Sequence, residues 1–132
     1  MRCVFPVFVM FFMALATTGC ESKKENLKRF YDKLLDQLDA LNDAMASIRD
    51  QTSAKVAVSK IKEISVKMRE LKDNRKVKTS QSITDEVLKE CEPRMMRTAL
   101  KMKAEMDRVS AIPGGKEAVD EVIKARQIWS EK

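Results

Sequence analysis

From residue 27 onward, apolar side chains return at alternating steps of four and three. That spacing gathers them on one face of an α-helix and would scatter them over both faces of a strand. The first series is Leu27, Tyr31, Leu34, Leu38, Leu41, Met45 and Ile48, with Phe30, Leu35 and Ala44 widening the stripe to a core-facing width. Gln51-Thr52-Ser53 offers a break and a new N-cap. The second series is Ala54, Ala57, Ile61, Ile64, Met68 and Leu71, small at its start, where two helices could approach closely. A polar connection over residues 72–80 follows. A third helix is expected to begin at Ser82 or Thr84 and to bury Leu88, Cys91, Met95, Ala99, Met102, Met106 and Val109. Pro93 falls inside it and should kink it or start a fresh helix, since proline lacks the donor and crowds the preceding turn. Ile112-Pro113-Gly114-Gly115 is the clearest stop, after which Ala118, Val122, Ala125 and Trp129 mark a short last helix.

Only three glycines and three prolines occur in 132 residues, which disfavours a turn-rich β fold. The expected fold is all-α: an antiparallel three-helix bundle with a short fourth C-terminal helix, preceded by a signal-peptide helix. Acid-first pairs four residues apart, Glu25 with Arg29, Glu63 with Lys67, Glu90 with Arg94 and Asp120 with Lys124, are expected to support the helix surfaces.

The first twenty residues read differently. Arg2 precedes an uncharged run through residue 20, and charge returns abruptly at Glu21, Lys23, Lys24 and Glu25. A basic start, an apolar middle and a small-residue end describe a secretory signal. Its apolar middle, residues 4–15, is short for a bilayer span.

Leu15-Ala16-Thr17-Thr18-Gly19-Cys20 resembles the lipobox of bacterial lipoproteins. The resemblance implies that the Cys20 thiol carries diacylglycerol, that cleavage precedes it, and that the new amine is acylated. Gly19 and Cys20 match the most restrictive positions, while Thr17 departs from the usual leucine. The implied division is residues 1–19 as signal peptide, 20–26 as lipidated Cys and tether, and 27–132 as the bundle. Ser22 and Glu25 form a possible capping box at the tether. Two alternatives stay open: cleavage after Ala16, giving a secreted soluble protein, and an uncut signal anchor. Glu21, in place of the aspartate that usually retains lipoproteins at the inner membrane of enteric bacteria, implies the outer membrane facing the periplasm if the host is Gram-negative.

Cys3 leaves with the signal and Cys20 is blocked by lipid, so Cys91 becomes the one free thiol of the mature chain. With no histidine, the commonest general base and transition-metal ligand is missing, and no phosphate loop, zinc spacing or nucleophile elbow occurs. The expectation is a non-catalytic structural or binding module without a cofactor. Asp32, Asp36, Asp39 and Asp43 form a row read as lying away from the apolar stripe, toward solvent. Residues 55–78 hold nine Lys and Arg against three acids. Lys72, Arg75, Lys76 and Lys78 are therefore candidates for contact with an anionic surface, either lipid head groups or an envelope polymer. An envelope protein is the other candidate partner. Nucleic acid is not expected, because export separates the chain from it and no aromatics interleave the basic residues. Cys91, Met95, Met102 and Met106 share a helical face, and soft sulfur suits Cu(I), so a soft-metal or small-ligand site is the alternative reading. A core stripe accounts for the same spacing.

Overall fold

The structure, a computed structural model, describes residues 4–75 and 79–130, with side chains from Lys23 onward. Four helices follow one another: α1 (Val4–Ala46), α2 (Gln51–Asp73), α3 (Gln81–Ser110) and α4 (Gly115–Ser130). No strand occurs among the described residues, so the fold is the all-α bundle that the spacing of apolar residues demands.

Each junction has a local cause. The α1–α2 break falls where expected, but Asp50 is the cap and Ser53 closes the box from inside the helix. The Ser53 backbone N–H donates to Asp50 Oδ1 at 2.8 Å, and the Asp50 N–H donates to Ser53 Oγ at 3.0 Å. The Ser53 donors hold the Asp50 carboxyl below its ordinary range. Ile48, beyond the end of α1, is fully buried in the turn. α3 begins earlier than expected, with Ser80 as its cap. At the α3–α4 corner Gly114 has φ of +78°, the left-handed conformation that favours glycine.

Pro93 neither breaks α3 nor starts a new helix. Pro93 and Lys89, whose carbonyl loses its partner, are both exposed, so water takes up the cost. Contacts to α1 from residues on both sides of the proline hold the helix in place. At the other end of the chain, α1 has no start at Ser22. Lys24 is already tied to α3, so residues 23–26 are helix rather than free tether.

Lys24 lies against Glu86 and Glu90, Asp36 and Asp39 against Arg94, and the Ile48 carbonyl against Arg108. Sequence numbers rise together on the two helices, so α1 and α3 run in the same direction. Consecutive helices are antiparallel, and the molecule consists of two helical hairpins side by side. α1 packs most heavily on α3 and α2 on α4. The small residues foreseen at the start of α2 meet Gly115 and Ala118 at the start of α4, where every one of these side chains is buried.

The core divides in two. A large cluster joins Leu41, Met45, Ile61, Met68, Met102 and Val122 from all four helices. A smaller one joins Leu27, Leu35, Val87 and Cys91 between α1 and α3 alone. Helix length explains the division. Sixteen residues of α4 span roughly 24 Å and thirty of α3 roughly 45 Å, so α4 covers only the C-terminal half of α3.

α3 is also rotated relative to the expected stripe. Val87, Cys91, Thr98, Met102 and Val109 are buried, while Leu88 and Met106 are half-buried and Met95 and Ala99 exposed. The rotation turns Arg94 and Thr98 toward α1. Asn42 is drawn into the same seam at 1% exposure, where its Nδ2 donates to the Thr98 carbonyl at 3.2 Å and its Oδ1 has no partner. That carbonyl is also available to the helix's own ladder, so the orphaned Oδ1 outweighs the bond gained. Asn42→Leu, of similar branching, is expected to raise stability by about 1 kcal/mol, read as a higher thermal midpoint. A lowered midpoint would contradict this reading.

Candidate functional site

The aspartate row does not stand free in solvent: its side chains keep 44–73% exposure, but each meets a cation of α3. Arg94 Nη2 donates to Asp36 Oδ1 at 2.7 Å and Asp39 Oδ2 at 2.9 Å, and Nη1 stands 3.8 Å from Asp32. Thr98 Oγ1 donates to Asp39 Oδ1 at 2.9 Å, and Lys101 pairs with Asp43 at 3.7 Å. One guanidinium thus gathers three carboxylates from successive turns of α1. Hydrogen bonds to Asp36 and Asp39 push the Arg94 pKa still higher. The seam continues upward in Lys24 with Glu86 and Glu90, and Lys28 with Glu90. Hydrogen bonding to Glu90, then to Glu86, raises the Lys24 pKa. Lys24 and then Lys28 lower that of Glu90. The Glu90 contribution is lost only as pH falls through its depressed value, and that of Lys24 only as pH rises through its raised one. The Lys24 turn of α1 therefore stays tied to α3 throughout the neutral range.

These cross-helix pairs displace the expected pairs within helices. Glu90 and Arg94 take partners on α1, Lys124 pairs with Glu121 rather than Asp120, and none of the four acid-first pairs forms among the described residues. Two further cations cap helix ends from neighbouring helices. Arg108 of α3 donates to the Met45 and Ile48 carbonyls at 2.9 Å each, where α1 ends, with Glu105 bracing it at 2.8 Å. Lys72 of α2 donates to the Ile128 carbonyl near the end of α4. The sequence gives no local signal for either, since the partners lie more than fifty residues away.

With the acids of α1 held in the seam, α2 is left with a basic outer face. Lys55, Lys60, Lys62, Lys67 and Arg69 are exposed, and none forms an ion pair among the described residues. This face leads to the pole of the bundle where α1 enters. Phe30 of α1 meets Trp129 of α4 edge-on at 5.6 Å, and the Arg75 guanidinium lies 5.2 Å over the Phe30 ring. Among the expected anionic-surface residues, Lys72 is half-buried on α4 and Arg75 is exposed above Phe30. Lys76, Lys78 and the side chain of Cys20 lie outside the described residues. The connection between α2 and α3 shares its pole with the N-terminal end of the packed bundle.

Packing joins two of the four sulfurs and sets the others apart, Met106 lying against the larger core cluster. Met95 and Met102 line one cavity of about 160 Å³ with Leu35, Leu38, Thr98 and Arg126, while Cys91 belongs to the smaller core cluster. Arg126 brings a positive charge to that cavity, which opposes a metal cation. Burial, with the Asp32 carboxylate adding to it, pushes the Cys91 thiol up, away from the thiolate that binds metals. Among the described residues no cluster of three or more His, Cys, Asp or Glu is suited to hold a metal ion, and no helix is long and apolar enough to cross a membrane. No family model, curated protein or solved structure matches the chain.

Proposed function

We propose that this chain is an envelope lipoprotein, anchored through Cys20, whose helical bundle is a non-catalytic structural or binding module resting its basic pole on an anionic surface. The observation that carries the reading is the sharing of one pole. α1 leads directly from the lipobox-like segment into the bundle, and the basic α2–α3 connection with Arg75 lies at that same end. A lipid at Cys20, ten residues or roughly 15 Å of helix before Phe30, would turn Arg75 toward the head groups, and each Lys or Arg close to an anionic leaflet is worth about 1 kcal/mol. Acyl chains and a basic patch together give the two signals that stable anchoring requires. In a Gram-negative host the anchor lies in the outer membrane facing the periplasm, and the α2 face is free to meet an envelope protein or polymer.

Cys20→Ser tests the anchor. The wild-type chain is expected in the membrane fraction and the detergent phase, and the variant in the aqueous phase. The released variant should then sediment with vesicles containing phosphatidylglycerol and remain free of vesicles made of phosphatidylcholine alone. Unchanged partitioning of Cys20→Ser would overturn the anchor, and equal binding to both vesicles would overturn the electrostatic contact.

A further inference from the structure

The face of α3 turned away from α1, running across the midpoint of the helix, leaves an apolar strip in water. Met96 is 58% exposed, Leu100 67% and Met95 38%, and a shallow groove of about 560 Å³ runs along Asp85, Leu88, Lys89, Glu92, Met96 and Ala99. We propose that this face of α3 is the interface of a twofold dimer, its occupant the same face of a second copy running antiparallel.

Charge placement selects that occupant and its register. Asp85 and Lys103 stand eighteen residues apart, about five helical turns, and so lie on one line down the middle of the strip. Each is nine residues from position 94. A twofold axis crossing the strip at that level sets Asp85 of each copy against Lys103 of the other, twice over. On one flank Leu88 then faces Ala99 of the second copy, and on the other flank Leu100 faces the aliphatic stem of Lys89. The closest like charges are the two Glu92 side chains, offset roughly 6 Å along the axis on either side of it. A parallel pairing in register would instead set Lys89 on Lys89 and Asp85 on Asp85. Both Asp85 and Lys103 are exposed and unpaired with any opposite charge among the described residues, and the one hydrogen bond to the Asp85 side chain comes from Gln81 Nε2 at 2.8 Å. An interface of this kind uses one patch twice, as twofold dimers do. It leaves the α2 face uncovered, and its antiparallel copies point their α1 poles in opposite directions, so it does not rest on the anchoring proposed above and excludes both poles resting on one surface.

Cross-linking of the full chain in cell lysates tests the register. In a Cys91→Ser background, the double substitution Leu88→Cys and Ala99→Cys, oxidised with copper phenanthroline, should give a disulfide-linked dimer well above the background of the parent chain. Leu88→Cys alone should not, because the introduced thiols of the two copies would sit roughly 18 Å apart along the axis. Adding Asp85→Lys to the double variant should lower the dimer yield on the order of tenfold, and adding Lys103→Asp as well should restore it. None of these four positions is buried, so folding is not at stake. Absence of dimer, equal yield from Leu88→Cys alone, a yield unmoved by the charge reversal, or an adduct to a different protein would each overturn the proposal.

Discussion

Gly115→Ala is expected to destabilise the bundle by about 4 kcal/mol or more, a large part of the stability of a domain this size. A Cβ on Gly115 would stand 1.9 Å from the Val109 carbonyl oxygen and 2.9 Å from its carbon, both of them backbone. No rotamer change can relieve that overlap, so the α3–α4 corner itself must open. The corner is closed by the Gly115 N–H donating to the Ile112 carbonyl at 2.8 Å, and it sets how α4 lies on α2. Gly114→Ala supplies the contrast. Its Cβ would meet the flexible Gln51 side chain at 3.3 Å and, at ordinary contact distance, the Ala54 methyl at 3.6 Å and the Gln51 Cα at 3.7 Å, so the cost there is the left-handed φ, about 1 kcal/mol. Thermal melts of the two variants should differ by well over 10 °C, taking about 4–8 °C per kcal/mol for a domain of this size. Similar midpoints would contradict the close packing at this corner.

Arg94→Ala carries the second largest effect, about 2 kcal/mol at low ionic strength. Exposed ion pairs are worth well under 1 kcal/mol each, and removing one partner of a fully buried pair costs several times that. Arg94 lies between these limits, with its side chain 34% exposed and the aspartates from 44% to 64%. Without it Asp32, Asp36 and Asp39 face α3 with no countercharge, and Thr98 alone still donates to Asp39. Salt should shrink the loss, because partly exposed charges are screened within about 10 Å at 0.1 M. A loss independent of salt would mean that Arg94 acts through packing alone.

The same residue explains where the sequence misleads. On α2 the buried face, Ala54, Ala57, Ile61, Ile64 and Met68, is the one its spacing marks, because its neighbours meet it through apolar atoms. On α3 the stripe through Leu88, Met95 and Ala99 looks equally good, yet the helix is turned so that Arg94 and Thr98 reach α1. A polar seam between helices has the same pattern as a solvated face, so the aspartate row on α1 reads as exterior until its partner helix is known. Neighbour choice is hidden for a related reason. Spacing establishes that successive helices alternate in direction, but the heavy packing of α1 on α3 depends on charges more than fifty residues apart. The basic pole is more legible, since an even number of antiparallel passes returns the α2–α3 connection to the end where α1 enters. What the sequence could not indicate is that Lys72 and Arg75 also serve the fold, one on the Ile128 carbonyl and the other on the Phe30 ring.

The anchor proposed at Cys20 is the centre of the account, and intact mass spectrometry of the mature protein's N-terminal peptide tests it directly. The account predicts a peptide beginning at Cys20 and carrying both a diacylglyceryl thioether and an acylated amine. A peptide beginning at Thr17 with a free amine and an unmodified Cys20 would contradict it.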